Sequence, residues 1–572
     1  MPAAGNVSAP CYDGADLLIR NAKVITCDAR GSIHRATSVK NGRILAVGTE
    51  DAVADTANEA TRIIDANGAA VIPGMIDGHA HLDREGLKHV FPSLAGCTSI
   101  DDVLQRIEAL VKDAEPGEWI VTMPIGDPPF YFDVPGNLKE NRFPTRWELD
   151  RVAPDNPVYI RPIWGFWRHI QPLDSIANSR ALEEAGLARV PNDCPANVTF
   201  EIDDATGEPN GIIHEKTFMP IAELKWFRTM PRFSHDDRVR GLKDAMRTYN
   251  ASGTTSVLEE HGCAQELIDA WRAVNAEDAA TVRGHLIYSP AWHFAEKEDY
   301  EGAIERWAAE LGGMHGTGDD RLRVGGVFGD LGVDPDAASR LTAAPYTGWS
   351  GFYYDSGVPA EKMYDFLMAA AKHDVRISAI WMTMLPYFEA VNREIPIGDR
   401  RWIIGHLGCA TPEQIKSLAD MNIVMTAHTN RYVFKNGYAL IEELGPDNEN
   451  NLCPIRSLLE EGVHIGLSTD NVPTTLWYPV WQAVTRHNLY IDAPVAPEQA
   501  LTRQQALNCA TIEGAYLTGE EDEKGSLEEG KLADMAILTD DPLTCPEPDI
   551  RDIMAATTIV GGEIVYQAED TP

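Results

Sequence analysis

Two histidines separated by a single residue, His79 and His81, end an apolar segment of the chain. If that segment is a β-strand, residues i and i+2 point in the same direction, so both imidazoles can reach one cation. The H-x-H pattern is weak evidence by itself, because nearby histidines also occur on surfaces and in cores. The surrounding elements must therefore decide whether the pair binds a metal.

Two more polar residues, His406 and Asp470, end the apolar segments 402–405 and 463–468. In a barrel of parallel strands, side chains at the C-terminal strand ends face the active-site mouth. Ligands drawn from such strand ends would converge, so we predict that His79, His81, His406 and Asp470 bind a metal ion. The alternative for Asp470 is an N-cap of the following helix, a common role for aspartate.

Strand-like and helix-like segments alternate through the middle of the chain. Eight strand-like runs lie at 70–77, 254–259, 282–288, 322–328, 375–380, 402–405, 423–427 and 463–468. Strands that alternate with helices form parallel sheets, and eight such units close into a barrel. The sequence therefore predicts the α/β class, with a TIM-type (β/α)8 barrel within residues 73–519.

Short strand patterns also mark both ends of the chain, in residues 1–72 and 520–572. Asn41 and Gly42 lie between two apolar runs and tolerate positive φ, which indicates a hairpin turn. These patterns predict one small β-sandwich formed by both chain ends. The gap between the first two barrel strands, at about 90–250, is too long for an ordinary connection and predicts an inserted subdomain.

Composition limits the partners and the compartment. The net charge of −38 excludes nucleic acid as a partner, because phosphate binding needs a basic surface. No apolar run reaches the roughly 18 residues of a membrane span, and the first residues lack the pattern of a signal peptide. Nine scattered cysteines without a C-x-x-C pair fit a reducing compartment. We therefore expect a cytoplasmic protein that acts on a small molecule, alone or as a homodimer.

Several motifs resemble those of the amidohydrolase superfamily. Residues 73–81, which read PGMIDGHAH, resemble its metal signature, and residues 525–534 and 558–562 resemble its return into a closing β-sandwich. Residues 177–182 and 207–212 look like the inserted region of the branch that contains N-substituted formamide deformylases. The resemblance extends from about residue 16 to 567 and implies a metal-dependent barrel hydrolase.

The chain departs from this family at two ligands of a second metal. The family usually carries a carboxylated lysine on the fourth strand, where this chain has Phe328 or a neighbour, and a histidine that ends the fifth strand, where it has Trp381. We therefore predict one divalent cation per chain, with zinc favoured by nitrogen and oxygen ligands in a site open to water. Replacement ligands remain open among Glu259, Glu260, His261, Asp330 and His428.

The resemblance implies hydrolysis of a C–N bond in an amide, a cyclic amide or a related compound. Asp470 would act as the general base, and the metal or His406 would polarise the carbonyl. Aromatic residues predict a small apolar or aromatic substrate held by Trp381, with Trp164, Trp167, Phe352, Tyr353 and Tyr354 as further candidates. Two alternatives stay open: a single-metal, non-oxidative decarboxylase of the same superfamily, and a barrel that has lost catalysis and only binds a ligand.

Overall fold

Eight parallel strands, paired in chain order, form the largest sheet of the computed structural model. The structure describes residues 14–129, 131, 133–163, 171–217, 220–290, 299–331, 347–349, 351–352 and 357–569. Barrel strands 1 to 8 are Met75–Asp77, Thr254–Cys263, Arg283–Tyr288, Leu322–Phe328, Ile377–Ala379, Ile403–Ile404, Val424–Ala427 and Ile465–Leu467. The predicted TIM-type barrel is confirmed, and each strand overlaps its predicted run.

The sheet path ends at strands 1 and 8, and hydrogen bonds bridge these two ends. The backbone N–H of Gly78 donates to the carbonyl of Leu467 at 3.0 Å. The Asp77 carboxylate accepts from both the N–H and the hydroxyl of Thr469, at 3.1 and 2.5 Å. Side-chain hydrogen bonds therefore make much of the contact between strands 1 and 8 that closes the barrel, which we call the joint.

Helices connect successive strands, and local sequence sets where they begin. Ser234 starts the helix His235–Ala251 through a capping box in which Asp237 accepts from the backbone N–H of Ser234. The helix Gln265–Ala276 packs closely on strand 3, because a side chain at Gly284 would lie 2.9 Å from the Trp271 ring. The remaining barrel helices are Tyr300–Leu311, Ala360–Lys372, Leu385–Glu394, Pro412–Asp420, Gly437–Leu444, Ile455–Glu461, Trp477–Thr485, Arg503–Cys509 and Ile512–Thr518.

Two sheets are built from the two chain ends. One contains Leu17–Arg20, Ala36–Lys40, Arg43–Gly48 and Arg62–Asp65, and the other contains Lys23–Ile25, Ile33–His34, Ala70–Pro73, Met535–Leu538, Ala555–Val560 and Glu563–Gln567. Leu17, Val24 and Ile559 belong to one apolar cluster that both sheets share. Asn41 and Gly42, both at positive φ, form the predicted hairpin turn.

A five-stranded sheet lies in the chain between strands 1 and 2 of the barrel. Its strands are Ile120–Thr122, Val158–Ile160, Leu173–Ala177, Val198–Ile202 and Pro209–Glu215. Helices Leu82–Leu87, Ile100–Lys112, Arg146–Asp150, Ser179–Glu184 and Ile221–Lys225 belong to the same stretch of chain. Phe227 is buried in an apolar cluster against this sheet and Trp226 packs on it, so these aromatic residues stabilise the insertion itself.

The described part also contains smaller elements. They include the helix Glu50–Ala54 and the short strands Thr317–Gly318, Asp330–Leu331, Gly357–Val358, His487–Asn488 and Ala493–Pro494. Within the residues that the structure describes, no helix has the length and apolar character needed to cross a bilayer. The eight cysteines of this part are all free.

Candidate metal centre

Five imidazoles meet at the C-terminal ends of the barrel strands. His79 lies at the middle of the group, with ring centroids 4.9 Å from His81, 5.0 Å from His406, 4.4 Å from His428 and 6.1 Å from His261. The first three of these neighbours follow strands 1, 6 and 7, and His261 lies within strand 2. Sequence reasoning had left His261 and His428 among several alternatives, and the structure brings both into the group.

The donor atoms of His79, His81 and Asp470 are spaced for one small cation. The two Nε2 atoms lie 3.1 Å apart, and Asp470 Oδ1 lies 3.4 Å from His81 Nε2 and 3.9 Å from His79 Nε2. Tetrahedral zinc with bonds of about 2.0–2.1 Å separates its ligand atoms by roughly 3.3–3.5 Å. One of the three separations, 3.4 Å, falls within this range and the others lie on either side of it, so the residues present suit a divalent ion of this size.

Two overlapping groups of three imidazoles can hold a metal among the described residues. One is His79, His81 and His261, the other is His79, His406 and His428, and within each the ring nitrogens lie within 4.8 Å of one another. His79 belongs to both, but its Nδ1 donates to Glu260 Oε2 at 2.7 Å. Only Nε2 of His79 remains for coordination, so this ring can serve one ion at a time.

Burial and neighbouring charges set the protonation of these rings. Burial lowers the pKa of His81 and of His406 well below its usual range, and Arg84 and His428 respectively add to the effect. Burial also disfavours the charged form of His79, but Glu260 outweighs it and raises the pKa of that ring. Metal binding needs neutral imidazole. His81 and His406 are therefore ready to act as ligands near neutral pH.

Glu259 and Glu260, consecutive residues of strand 2, lie next to the imidazoles of the H-x-H pair. Glu260 Oε2 accepts from His79 and also from the Thr426 hydroxyl at 2.6 Å. Glu259 Oε1 accepts from the backbone N–H of Leu82 at 2.8 Å, and its Oε2 lies 3.7 Å from His81 Nδ1. Both residues were candidates for replacement ligands, and the structure places them as partners of the imidazoles.

Aromatic side chains lie beside the imidazoles, and two of them, Phe328 and Trp381, occupy positions where the resemblance implies ligands of a second metal. Phe328 ends strand 4 with its ring 4.7 Å from that of His261, and the ring of Phe352 stacks on His261 at 4.0 Å. Trp381 follows strand 5, lies edge-on to His406 at 5.4 Å and is 38% exposed. The sequence candidates Trp164, Trp167, Tyr353 and Tyr354 lie outside the described residues.

Asp330, another candidate ligand, anchors the loop that carries Trp381. Its Oδ2 accepts from the backbone N–H groups of Ile380 and Trp381 at 2.7 and 3.2 Å, and its Oδ1 accepts from that of Leu331 at 2.7 Å. These three bonds use both oxygens of the carboxylate. Asp330 therefore contributes to the site by fixing the Trp381 backbone.

The strand ends hold three residues in the left-handed backbone region. His406, Asp470 and Asn471 have φ of 46°, 50° and 64°. A non-glycine residue in that region costs roughly 1 kcal/mol or more, and such strain concentrates at functional sites. The backbone N–H of Asp470 donates to the carbonyl of His79 at 3.1 Å, which helps to hold the turn.

A (β/α)8 barrel with imidazoles and a carboxylate gathered at its C-terminal strand ends has the architecture of a metal-dependent hydrolase. The model of the amidohydrolase family matches residues 62–566. The chain belongs to this family and is a metal-dependent hydrolase.

Relatives of this chain extend over nearly its whole length. The N-substituted formamide deformylase of Arthrobacter pascens is 27% identical, over 96% of this chain and 98% of its own. The protein LONG AFTER FAR-RED 3 of Arabidopsis thaliana is 24% identical, over 96% of this chain and 92% of its own.

Solved structures share the fold. A metal-dependent hydrolase from Pyrococcus horikoshii OT3 aligns with a TM-score of 0.66 at 20% identity, over 93% of this chain and 99% of its own. Atrazine chlorohydrolase TrzN from Arthrobacter aurescens TC1, solved with zinc, aligns with a TM-score of 0.51 at 17% identity, over 96% and 95%. Both are similar to this chain in architecture.

The substitution Glu260→Gln should weaken zinc binding by roughly 10- to 100-fold, because a carboxylate that accepts from a ligand imidazole orients the ring and raises its basicity. Competition with a chromogenic chelator measures the affinity. Glu215→Gln changes another buried glutamate, in the inserted sheet, and should leave zinc affinity as in the unsubstituted protein. Equal affinities in both variants would show that His79 does not depend on Glu260.

Proposed function

We propose that this protein hydrolyses the C–N bond of a small amide, cyclic amide or related compound that carries an apolar or aromatic group. The observation that carries the proposal is the spacing of three donor atoms, from His79, His81 and Asp470, at the mouth of the barrel. The full-length similarity to an N-substituted formamide deformylase supports an amide as the bond attacked.

The ligand set proposed is His79, His81 and Asp470, with His406 as the fourth ligand or as a donor to the substrate carbonyl. Zinc is the preferred ion, because nitrogen-rich sites open to water favour it. Bound there, a divalent ion lowers the pKa of water and polarises a carbonyl group.

Asp470 is the proposed general base. Its carboxylate takes a proton from the attacking water as the water oxygen bonds to the carbonyl carbon, and passes that proton to the nitrogen as the C–N bond breaks. Arg84 Nη1 lies 3.7 Å from Asp470 Oδ1 and balances the charge of the carboxylate. The products are a carboxylic acid and an amine.

The proposed function is tested by incubating the zinc-loaded protein with N-substituted formamides, larger amides, lactams and aromatic carboxylates. Release of amine from an amide supports hydrolysis. Release of carbon dioxide from an aromatic carboxylate, without amine from any amide, would assign the protein to the decarboxylases. Binding without turnover of any compound would favour a barrel that has lost catalysis.

The substitution Asp470→Asn should lower kcat by roughly 10²–10⁴-fold, because the amide keeps the shape of the side chain but cannot take a proton. Zinc content is measured in the same samples, so that loss of the base is separated from loss of the ion. His79→Ala should lower the zinc content as well. A near-normal kcat in zinc-replete Asp470→Asn would refute the assignment of the base.

One metal ion per chain is expected, since both imidazole groups include His79 and the bond of its Nδ1 to Glu260 leaves one ring nitrogen for coordination. The protein is loaded with excess zinc, desalted and subjected to elemental analysis. A stable ratio near one zinc per chain agrees with this expectation. A stable ratio near two would contradict it and would require the His406–His428 pair to hold a second ion without His79.

Trp381 is the proposed contact for the apolar part of the substrate, because its exposed ring faces solvent beside His406. The substitution Trp381→Ala should raise KM for an N-aromatic amide by about 10-fold, as expected for the loss of roughly 1.5 kcal/mol of ring burial. The KM of an N-methyl amide should change less than threefold. Tyr364→Ala removes a similarly exposed ring of the helix Ala360–Lys372 and serves as the control. Equal effects on both substrates would remove Trp381 from substrate binding.

A further inference from the structure

Asn471, the residue after the proposed base, is paired with the backbone of His81. Its Oδ1 accepts from the backbone N–H of His81 at 2.8 Å, and its Nδ2 donates to the carbonyl of the same residue. Exchange of both bonds with one residue is the pattern of a hydrogen-bonded pair in an antiparallel ladder. The amide of Asn471 thus takes the place of a strand partner for His81, a short way beyond strand 1, the strand at which the path of the barrel sheet stops.

Asn471 is itself held firmly. The side chain is buried, and the Tyr249 hydroxyl donates to its Oδ1 at 3.0 Å from the helix His235–Ala251. The backbone N–H of Asn471 donates to the Thr469 hydroxyl oxygen at 3.0 Å, and that hydroxyl donates to Asp77 on strand 1. The amide is therefore a fixed connection between the turn after strand 8 and the H-x-H segment.

We propose that Asn471 is a positioning residue, which sets the separation between the His81 and Asp470 donor atoms that is 3.4 Å here. This inference rests on the proposed function, because it assigns Asn471 to the geometry of the same centre. The two donor atoms belong to chain segments almost 390 residues apart, and the Asn471 amide ties the backbone of one directly to the neighbour of the other. Any shift of the turn after strand 8 would move Asp470 relative to His81.

The chemistry of the side chain makes asparagine specific for this role. Aspartate would keep the acceptor for the His81 N–H but would lose the donor, and its second oxygen would face the His81 carbonyl. Alanine would leave the buried N–H of His81 unpaired, at a cost of about 1–3 kcal/mol. The His81 carbonyl would keep only the bond from the backbone N–H of Arg84, at 3.1 Å. Neither substitution alters Trp381 or the other aromatic side chains beside the imidazoles. Substrate binding should therefore change less than the positions of the proposed metal ligands.

The test compares Asn471→Ala and the isosteric Asn471→Asp with the control Asn178→Ala. Asn178 is a matched buried asparagine of the insertion, which accepts from the N–H groups of Val158 and Ala181 and donates to the carbonyls of Ala153 and Asn156. Zinc affinity is measured by chelator competition, stability by thermal unfolding, and kcat and KM on the best amide substrate. All three variants should lose thermal stability.

Both Asn471 variants should bind zinc at least 10-fold more weakly and lose kcat with KM within about twofold, whereas Asn178→Ala should keep zinc affinity and kcat. If the Asn471 variants lose only stability, as Asn178→Ala does, the residue is merely structural and the inference is overturned. The zinc measurement tests the role of Asn471 even if no amide is hydrolysed. Absence of hydrolysis would refute the proposed function but not the role of Asn471. Asn471→Asp keeps the size of the side chain, so it provides the comparison if Asn471→Ala does not fold.

Discussion

The hydrogen bond from His79 Nδ1 to Glu260 is the contact on which the rest of the centre depends. It leaves Nε2 as the one ring nitrogen of His79 that can coordinate, and His79 is the residue that both imidazole groups share. Glu260 is in turn fixed by the Thr426 hydroxyl from strand 7, and the Ser378 hydroxyl from strand 5 donates to its backbone carbonyl. Gly405 directly follows strand 6, and a Cβ atom there would lie 2.0 Å from Glu260 Oε1, so a side chain at this position would displace the carboxylate. Through its carboxylate and its backbone carbonyl, Glu260 thus connects residues of strands 2, 5 and 7, and the segments after strands 1 and 6, to the orientation of a single ring.

The joint between strands 1 and 8 gives the second constraint on the site. In this joint the bridging residues Asp77 and Asn471 are interspersed with the proposed ligands His79, His81 and Asp470. The bonds that close the barrel and the atoms that would hold the ion come from the same short segments. Barrel closure and ligand geometry therefore depend on each other. The left-handed backbone of Asp470 and Asn471 is maintained by these bonds, which offset its conformational cost.

The sequence predicted the barrel strands well, since most of them contain a short apolar run, and it placed His79, His81, His406 and Asp470 at strand ends that do meet. The sequence did not indicate which of five candidate replacement ligands lie beside the H-x-H pair, namely Glu259, Glu260, His261, Asp330 and His428. In a regular strand, adjacent residues point to opposite faces, but the pairing of strand 2 with strand 3 shifts register between Glu259 and Cys263. That irregularity lets Glu259, Glu260 and His261 all approach the H-x-H pair, and no pattern of residue types reveals it. The left-handed turn at His406 is equally invisible in the sequence, because histidine carries no requirement for positive φ.

The grouping of five imidazoles around His79 affects which metal ion this protein takes up in the cell. Sites of nitrogen ligands bind copper(II) more tightly than zinc, so affinity alone does not select zinc. Selection then depends on the geometry of the site and on which ions are available. We therefore expect protein from media of different trace-metal content to differ in the ions that it carries.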